Sequence, residues 1–130
     1  MSSTTRKWAY WASTAILSLL YLASAGMYIS NIPAAEALYQ SLGYPGYLVP
    51  LLIVIKPLGV LAILTRLNVF LSNLAYAGMF YHLLLAFSAH INAGQYVESI
   101  AAVIGLVALI VSFLTQNSAR AKQSPYPPLR

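Results

Sequence analysis

The 130-residue chain is predicted to be all-α: an integral membrane four-helix bundle with N- and C-termini in the cytoplasm. Three observations predict it. Hydrophobic residues make up 60% of the chain and charged residues 7%, whereas a soluble domain is roughly a quarter charged. A soluble fold of this length cannot bury that much apolar surface. Several apolar runs approach or exceed the ~18 to 20 residues that cross a hydrocarbon layer as a helix. Finally, nearly all charges fall near the ends of those runs and segregate by sign, the pattern that orients membrane helices.

The first span is expected over about residues 8–28. Arg6, Lys7, the apolar stretch and Ala23-Ser24-Ala25 together mimic a cleavable signal peptide. The full span length, with Trp8, Trp11 and Tyr21 inside it, favours a retained helix. Thr14, Ser18, Tyr21, Ser24 and Tyr28 form one polar stripe along it. Such a stripe serves helix packing as readily as it lines a site.

The connection to the second span carries its own pattern. Pro33 suits a first helical position, Ala35, Leu38, Tyr39 and Leu42 share one helical face, and Gly43 is a stop signal. A short amphipathic helix is expected in this first outer loop, lying on or folded into the outer mouth of the bundle.

The second span, about residues 47–64, holds an unusual residue: Lys56 within LLIVIKPLGVLAIL. A central lysine costs roughly 2.5 to 3.5 kcal/mol on insertion. Twelve Leu, Ile and Val residues from Leu48 to Leu64 return about 4 to 7 kcal/mol if all are central. Insertion is therefore still favoured. Helical side chains lean toward the N-terminus, so Lys56 can reach outward past Leu52 and Ile53. Pro57 removes the amide that would bond the Ile53 carbonyl, leaving that oxygen as a candidate partner. Lys56 either snorkels and locks packing or lines a polar cavity open to the outer side, the default functional hypothesis for an intramembrane charge.

The third span, about 69–90, carries His82 and His90. His82 lies eight residues before His90, about 12 Å by helical rise, at a depth similar to that of Lys56. It shares a side with Ala75, Gly78, Met79, Ala86 and Ala89, and small residues mark close helix contact. His82 is thus expected inside the bundle, facing the Lys56 cavity or acting as packing glue. His90, beside Asn92 and Gly94, also fits a helix cap.

The fourth span, about 97–114, offers Ala101, Gly105, Ala108 and Ser112 as a contact face. Residues 1–114 read as one membrane domain. Residues 115–130, ending SPYPPLR, read as a flexible cytoplasmic tail. With four spans, Arg6, Lys7, Arg66, Arg120, Lys122 and Arg130 share one side and Glu36 and Glu98 the other, which places the termini inside. Glu36 is the preferred counterion for Lys56, because Glu98 already suits a helix N-terminus.

The inventory also excludes chemistries. There is no cysteine, so disulfides, thiol nucleophiles and cysteine-ligated clusters are out. Two histidines on one helix and two remote acids make a poor metal site, so none is expected. No phosphate loop and no catalytic carboxylate pair is present, which leaves the catalytic residues unknown. The net charge of +5 forms no stripe interleaved with aromatics, so nucleic acid is not an expected partner.

Leu42-Gly43-Tyr44-Pro45, Leu48, Pro50, Lys56-Pro57-Leu58-Gly59, Ala75-Tyr76-Ala77-Gly78 and Ala89-His90 together resemble the DoxX-like family of small four-helix bacterial membrane proteins, over roughly residues 10 to 110. The resemblance implies a multi-pass protein of the bacterial inner membrane. The wider group includes a small subunit of a thiosulfate:quinone oxidoreductase and accessories to redox complexes. It implies a lysine at Lys56 and a histidine at His90, often with an acid soon after the histidine and an aromatic before the Tyr76 motif. This chain has Gln95 and Leu74 there.

The expected function is a non-catalytic membrane subunit or accessory protein that binds a lipid or quinone headgroup in an outer-half cavity lined by Lys56, Tyr21, His82, His90 and Glu36. The alternative is a membrane subunit of a quinone-linked oxidoreductase, with Lys56 or a histidine relaying protons. A small-solute carrier is third, since no inverted repeat is visible. No intrinsic cofactor is expected, with quinone the candidate ligand. The expected partners are the bilayer and other membrane or redox-complex subunits, with a homo-oligomer left open.

Overall fold

The computed structural model describes residues 2–129. Five helices follow in order: α1 Ser3–Ser30, α2 Ile32–Ser41, α3 Leu48–Thr65, α4 Val69–Asn92 and α5 Tyr96–Ala119. All but α2 are long and apolar enough to cross a membrane. The four form a ring in chain order, with α1 against α3 and α5, and α4 against α3 and α5. This is what short connections between antiparallel neighbours produce. α2 rests on α1 and α3.

The ends of the helices are chemically explicit. Ser2 Oγ accepts from the Thr5 amide, Asn31 Oδ1 from Ala34 and Asn68 Oδ1 from Leu71, satisfying donors that a helix start leaves open. α2 stops where Gly43 takes a φ of 88°, a left-handed geometry that costs glycine no Cβ clash. The Gly43 amide then bonds the Gln40 carbonyl and the Tyr44 amide that of Tyr39, which is the Schellman pattern. The same pattern closes α4 at Gly94, with the Gln95 amide donating to the His90 carbonyl. Helix α3 continues through Pro57.

Leu17, Tyr21, Val60, Ile63, Tyr76, Met79, Leu83, Ala108 and Leu109 form the core. Through it runs a hydroxyl chain, in which Ser112 of α5 meets Thr14 of α1 at 2.6 Å and Tyr76 of α4 at 2.7 Å. Each hydroxyl buried there has a partner, as low-dielectric surroundings require.

The spans are longer than expected, most of all where α1 begins at Ser3 and α5 reaches Ala119, with smaller extensions to Ser30 in α1 and Asn92 in α4. The greater difference is the segment expected to hang free as residues 115–130. Its first residues extend α5, and Arg120, Lys122 and Ser124 beyond it are tied to the bundle. Asn117 Nδ2 donates to the Ser124 carbonyl, the Ser124 amide to Asn117 Oδ1, and Asn73 Nδ2 to Ser124 Oγ. The cause lies at the end of α3, whose last carbonyls have no partner within the helix. Arg120 donates to the carbonyls of Ile63 and Leu64, and Lys122 to that of Leu67. Arg66 in turn donates to the Lys122 carbonyl, Ser72 Oγ and Gln116 Oε1. Cations at a helix C-terminus also meet the negative end of its dipole.

Candidate functional site

At the other end of the bundle, where α2 lies, all four long helices turn polar side chains toward one space. Tyr21, Ser24 and Tyr28 recur at three and four residues along α1, so one face of that helix carries all three. His82, Ala86 and His90 recur at four along α4. Lys56 reaches in from α3 and Glu98 from the first turn of α5. The cavity they line measures about 160 Å³.

Lys56 is the central group. Only 4% of it is exposed, so its ammonium points into the bundle and not toward the surrounding apolar medium. Its Nζ donates to Ser24 Oγ at 2.7 Å. The Tyr28 ring centroid lies 4.3 Å away and that of Tyr21 5.8 Å away, both within cation–π range. Hydroxyl and ring faces therefore hold the cation, in place of the Ile53 carbonyl suggested by Pro57. The ammonium carries three donors in all.

Tyr21 joins Lys56 to His82. Its hydroxyl lies 2.8 Å from His82 Nδ1 and 3.4 Å from the Met79 carbonyl. If the hydroxyl donates along the shorter contact, Nδ1 accepts and the imidazole proton sits on Nε2. Tyr28 continues the network outward, its hydroxyl 2.9 Å from that of Tyr39 on α2. Burial, together with the bond to Tyr28, pushes the Tyr39 hydroxyl above its ordinary value, which keeps it protonated and able to hold α2 in place.

The remaining expected residues divide. His90 lines the cavity, and its Nδ1 lies 2.8 Å from Gln95 Oε1, so cap and cavity wall are one residue. Glu36 is outside the lining; it packs on Gly46, where an added Cβ would sit 3.3 Å from the Glu36 Cβ. Glu98 takes the place in the wall that Glu36 was expected to fill. Ser24 and Tyr28 belonged to the stripe visible in the sequence, and their pairing with Lys56 gives that stripe a purpose beyond packing. Arg66, read at first only as an orienting charge, proves to be 3% exposed and the hub of the opposite end.

Chemically, the site can donate hydrogen bonds from an ammonium and an imidazole, and it offers aromatic faces to a flat group. Among the described residues no three metal-ligating side chains converge.

Residues 12–113 match the model of the DoxX-like family. That is most of the chain, and the chain belongs to the DoxX-like family. No curated protein and no solved structure matches it.

Proposed function

We propose that this DoxX-like membrane protein is a non-catalytic accessory component whose cavity holds the headgroup of a membrane amphiphile, a lipid or a quinone. One observation carries the reading: a nearly fully buried ammonium, held among the described residues by a hydroxyl and two tyrosine rings, lines a cavity. A cation placed so deep is costly unless acceptors meet it. A carbonyl or anionic oxygen entering the cavity supplies one. At about 160 Å³ the space falls below the ~300–1,000 Å³ of pockets that enclose whole ligands, so it suits a headgroup and not a complete lipid.

The contact between Tyr21 and His82 favours a second reading, a membrane subunit of a quinone-linked oxidoreductase. There the pair would deliver protons to the quinone oxygens as a partner subunit supplied the electrons. Both readings place the protein in a bacterial inner membrane beside other subunits.

The test is extraction of the protein from its native membrane in mild detergent, followed by mass spectrometry of the retained lipids and quinones. Lys56→Met keeps the unbranched stem of the side chain, one atom shorter, and removes the charge. Expected is at least a tenfold drop in the retained amphiphile, with folding unchanged. Equal retention by the variant would overturn the headgroup reading.

A further inference from the structure

Tyr21, Lys56 and His82 line the polar cavity and, at the same time, a second recess of about 610 Å³ between α3 and α4. Beyond those three residues, this recess is walled by aliphatic side chains, a tyrosine ring and glycine. Leu52 and Leu58 stand on the α3 side and Leu71 and Leu74 on the α4 side, with Gly59 and Gly78 between them. Its size lies within the ~300–1,000 Å³ of ligand pockets. From the polar trio the recess runs toward the end bearing the termini. Ala62 is six residues past Lys56, about 9 Å by helical rise, and Leu71 is eleven residues before His82, about 16 Å.

The glycines show that the space is open. A Cβ on Gly78 would meet nothing within 4 Å, and one on Gly59 would touch only the terminal Cε of Met79, at 3.0 Å. Leu58, Leu71 and Leu74 are about half exposed, so the recess opens on the outer face of the bundle between α3 and α4. The polar groups sit at one end only, and among the described residues the cation there bonds a hydroxyl. A second helix packed into the recess would bring apolar side chains along its whole length and leave the ammonium end unmatched. A molecule with an oxygen-bearing head and a hydrocarbon tail matches both ends.

We propose that the recess between α3 and α4 holds the hydrocarbon tail of the amphiphile whose headgroup meets Lys56, and that this ligand reaches the site sideways from the bilayer. The proposal rests on the headgroup reading above and adds the tail, the route and the residues that admit it. The shared chemistry is a long hydrocarbon tail on a head that accepts hydrogen bonds. An isoprenoid quinone and an acyl lipid both supply it.

The test uses the full chain in lipid nanodiscs with two photoreactive probes: a long-tailed isoprenoid quinone and a phosphatidylglycerol, each carrying a diazirine in the tail. A tail-less benzoquinone serves as a head-only probe. Expected for the wild type is cross-linking to α3 and α4 near Gly59 and Gly78 by at least one tail, and the probe that labels at lower concentration identifies the source. Gly78→Phe should lower that cross-linking at least tenfold and leave binding of the tail-less quinone unchanged, whereas Gly78→Ala should retain it. Labels confined to α1 and α5, or full cross-linking in Gly78→Phe, would overturn the tail proposal and leave the headgroup reading standing. Cross-linked dimers joined through α3 and α4 would overturn it as well, by giving the recess to a second copy. Unchanged binding of every probe in Lys56→Met would instead remove the headgroup reading. The wild-type labelling map decides the route even where the phenylalanine variant fails to fold.

Discussion

Arg66 sets two residue-scale effects against each other. Its φ of 50° is left-handed backbone, which costs an L-residue roughly 1–2 kcal/mol. Against that, its guanidinium donates to the Lys122 carbonyl, Ser72 and Gln116, and hydrogen bonds to a charged group are worth roughly 1.5–3 kcal/mol each. Two such bonds already outweigh the strain. Arg66→Gly removes strain and bonds together, so the expected net effect is destabilisation by about 2 kcal/mol or more. Thermal unfolding in detergent micelles checks it; a glycine variant more stable than the wild type would mean that backbone relief dominates. Neither effect is legible in the sequence. Pro33 and Gly43 announce a helix start and stop through local chemistry, whereas the partners of Arg66 lie 6, 50 and 56 residues away.

At the scale of elements, what could be read in advance was what a single helix carries. The number and order of the spans, the proline start and glycine stop of the first connection and the identity of Lys56 and His82 as inward groups all follow from local chemistry, periodicity and the rarity of intramembrane charge. What could not be read was the rotation of each helix against its neighbours. That rotation places Glu98, and not Glu36, in the cavity wall. It also makes Ser24 the partner of Lys56. Glycine positions show the same limit. Gly78 and Gly105 look alike in the sequence, yet a Cβ on Gly105 would sit 2.9 Å from Leu83 Cδ2, whereas one on Gly78 is free. Gly105 is where α5 accepts the core residue Leu83 of α4. Gly105→Leu is therefore expected to destabilise the bundle by about 1–3 kcal/mol through overpacking. Gly78→Leu, at an open position, should cost less than 1 kcal/mol, since leucine is the better helix former. Unfolding of the two variants side by side checks the contrast, and equal losses would contradict it.

Across the whole molecule, the two ends of the bundle do different work. One end gathers the start of α1, the end of α5 and the cations Arg6, Arg66, Arg120 and Lys122, which donate to Ser118, to Gln116 and to backbone carbonyls. The other end carries α2, the two carboxylates and the opening toward Lys56. Positively charged connections stay on the cytoplasmic side during insertion, so the end with the termini is expected inside and the cavity in the outer half of the bilayer. The composition makes this unusually simple to check. Because the chain has no cysteine, one introduced thiol reports alone. Ser3→Cys and Gln40→Cys place it at exposed positions near opposite ends. In spheroplasts, a membrane-impermeant maleimide is expected to label Gln40→Cys at once and Ser3→Cys only after permeabilisation. The reverse order would turn the bundle over, which would put the Lys56 cavity within reach of cytoplasmic solutes and separate its chemistry from the outer leaflet.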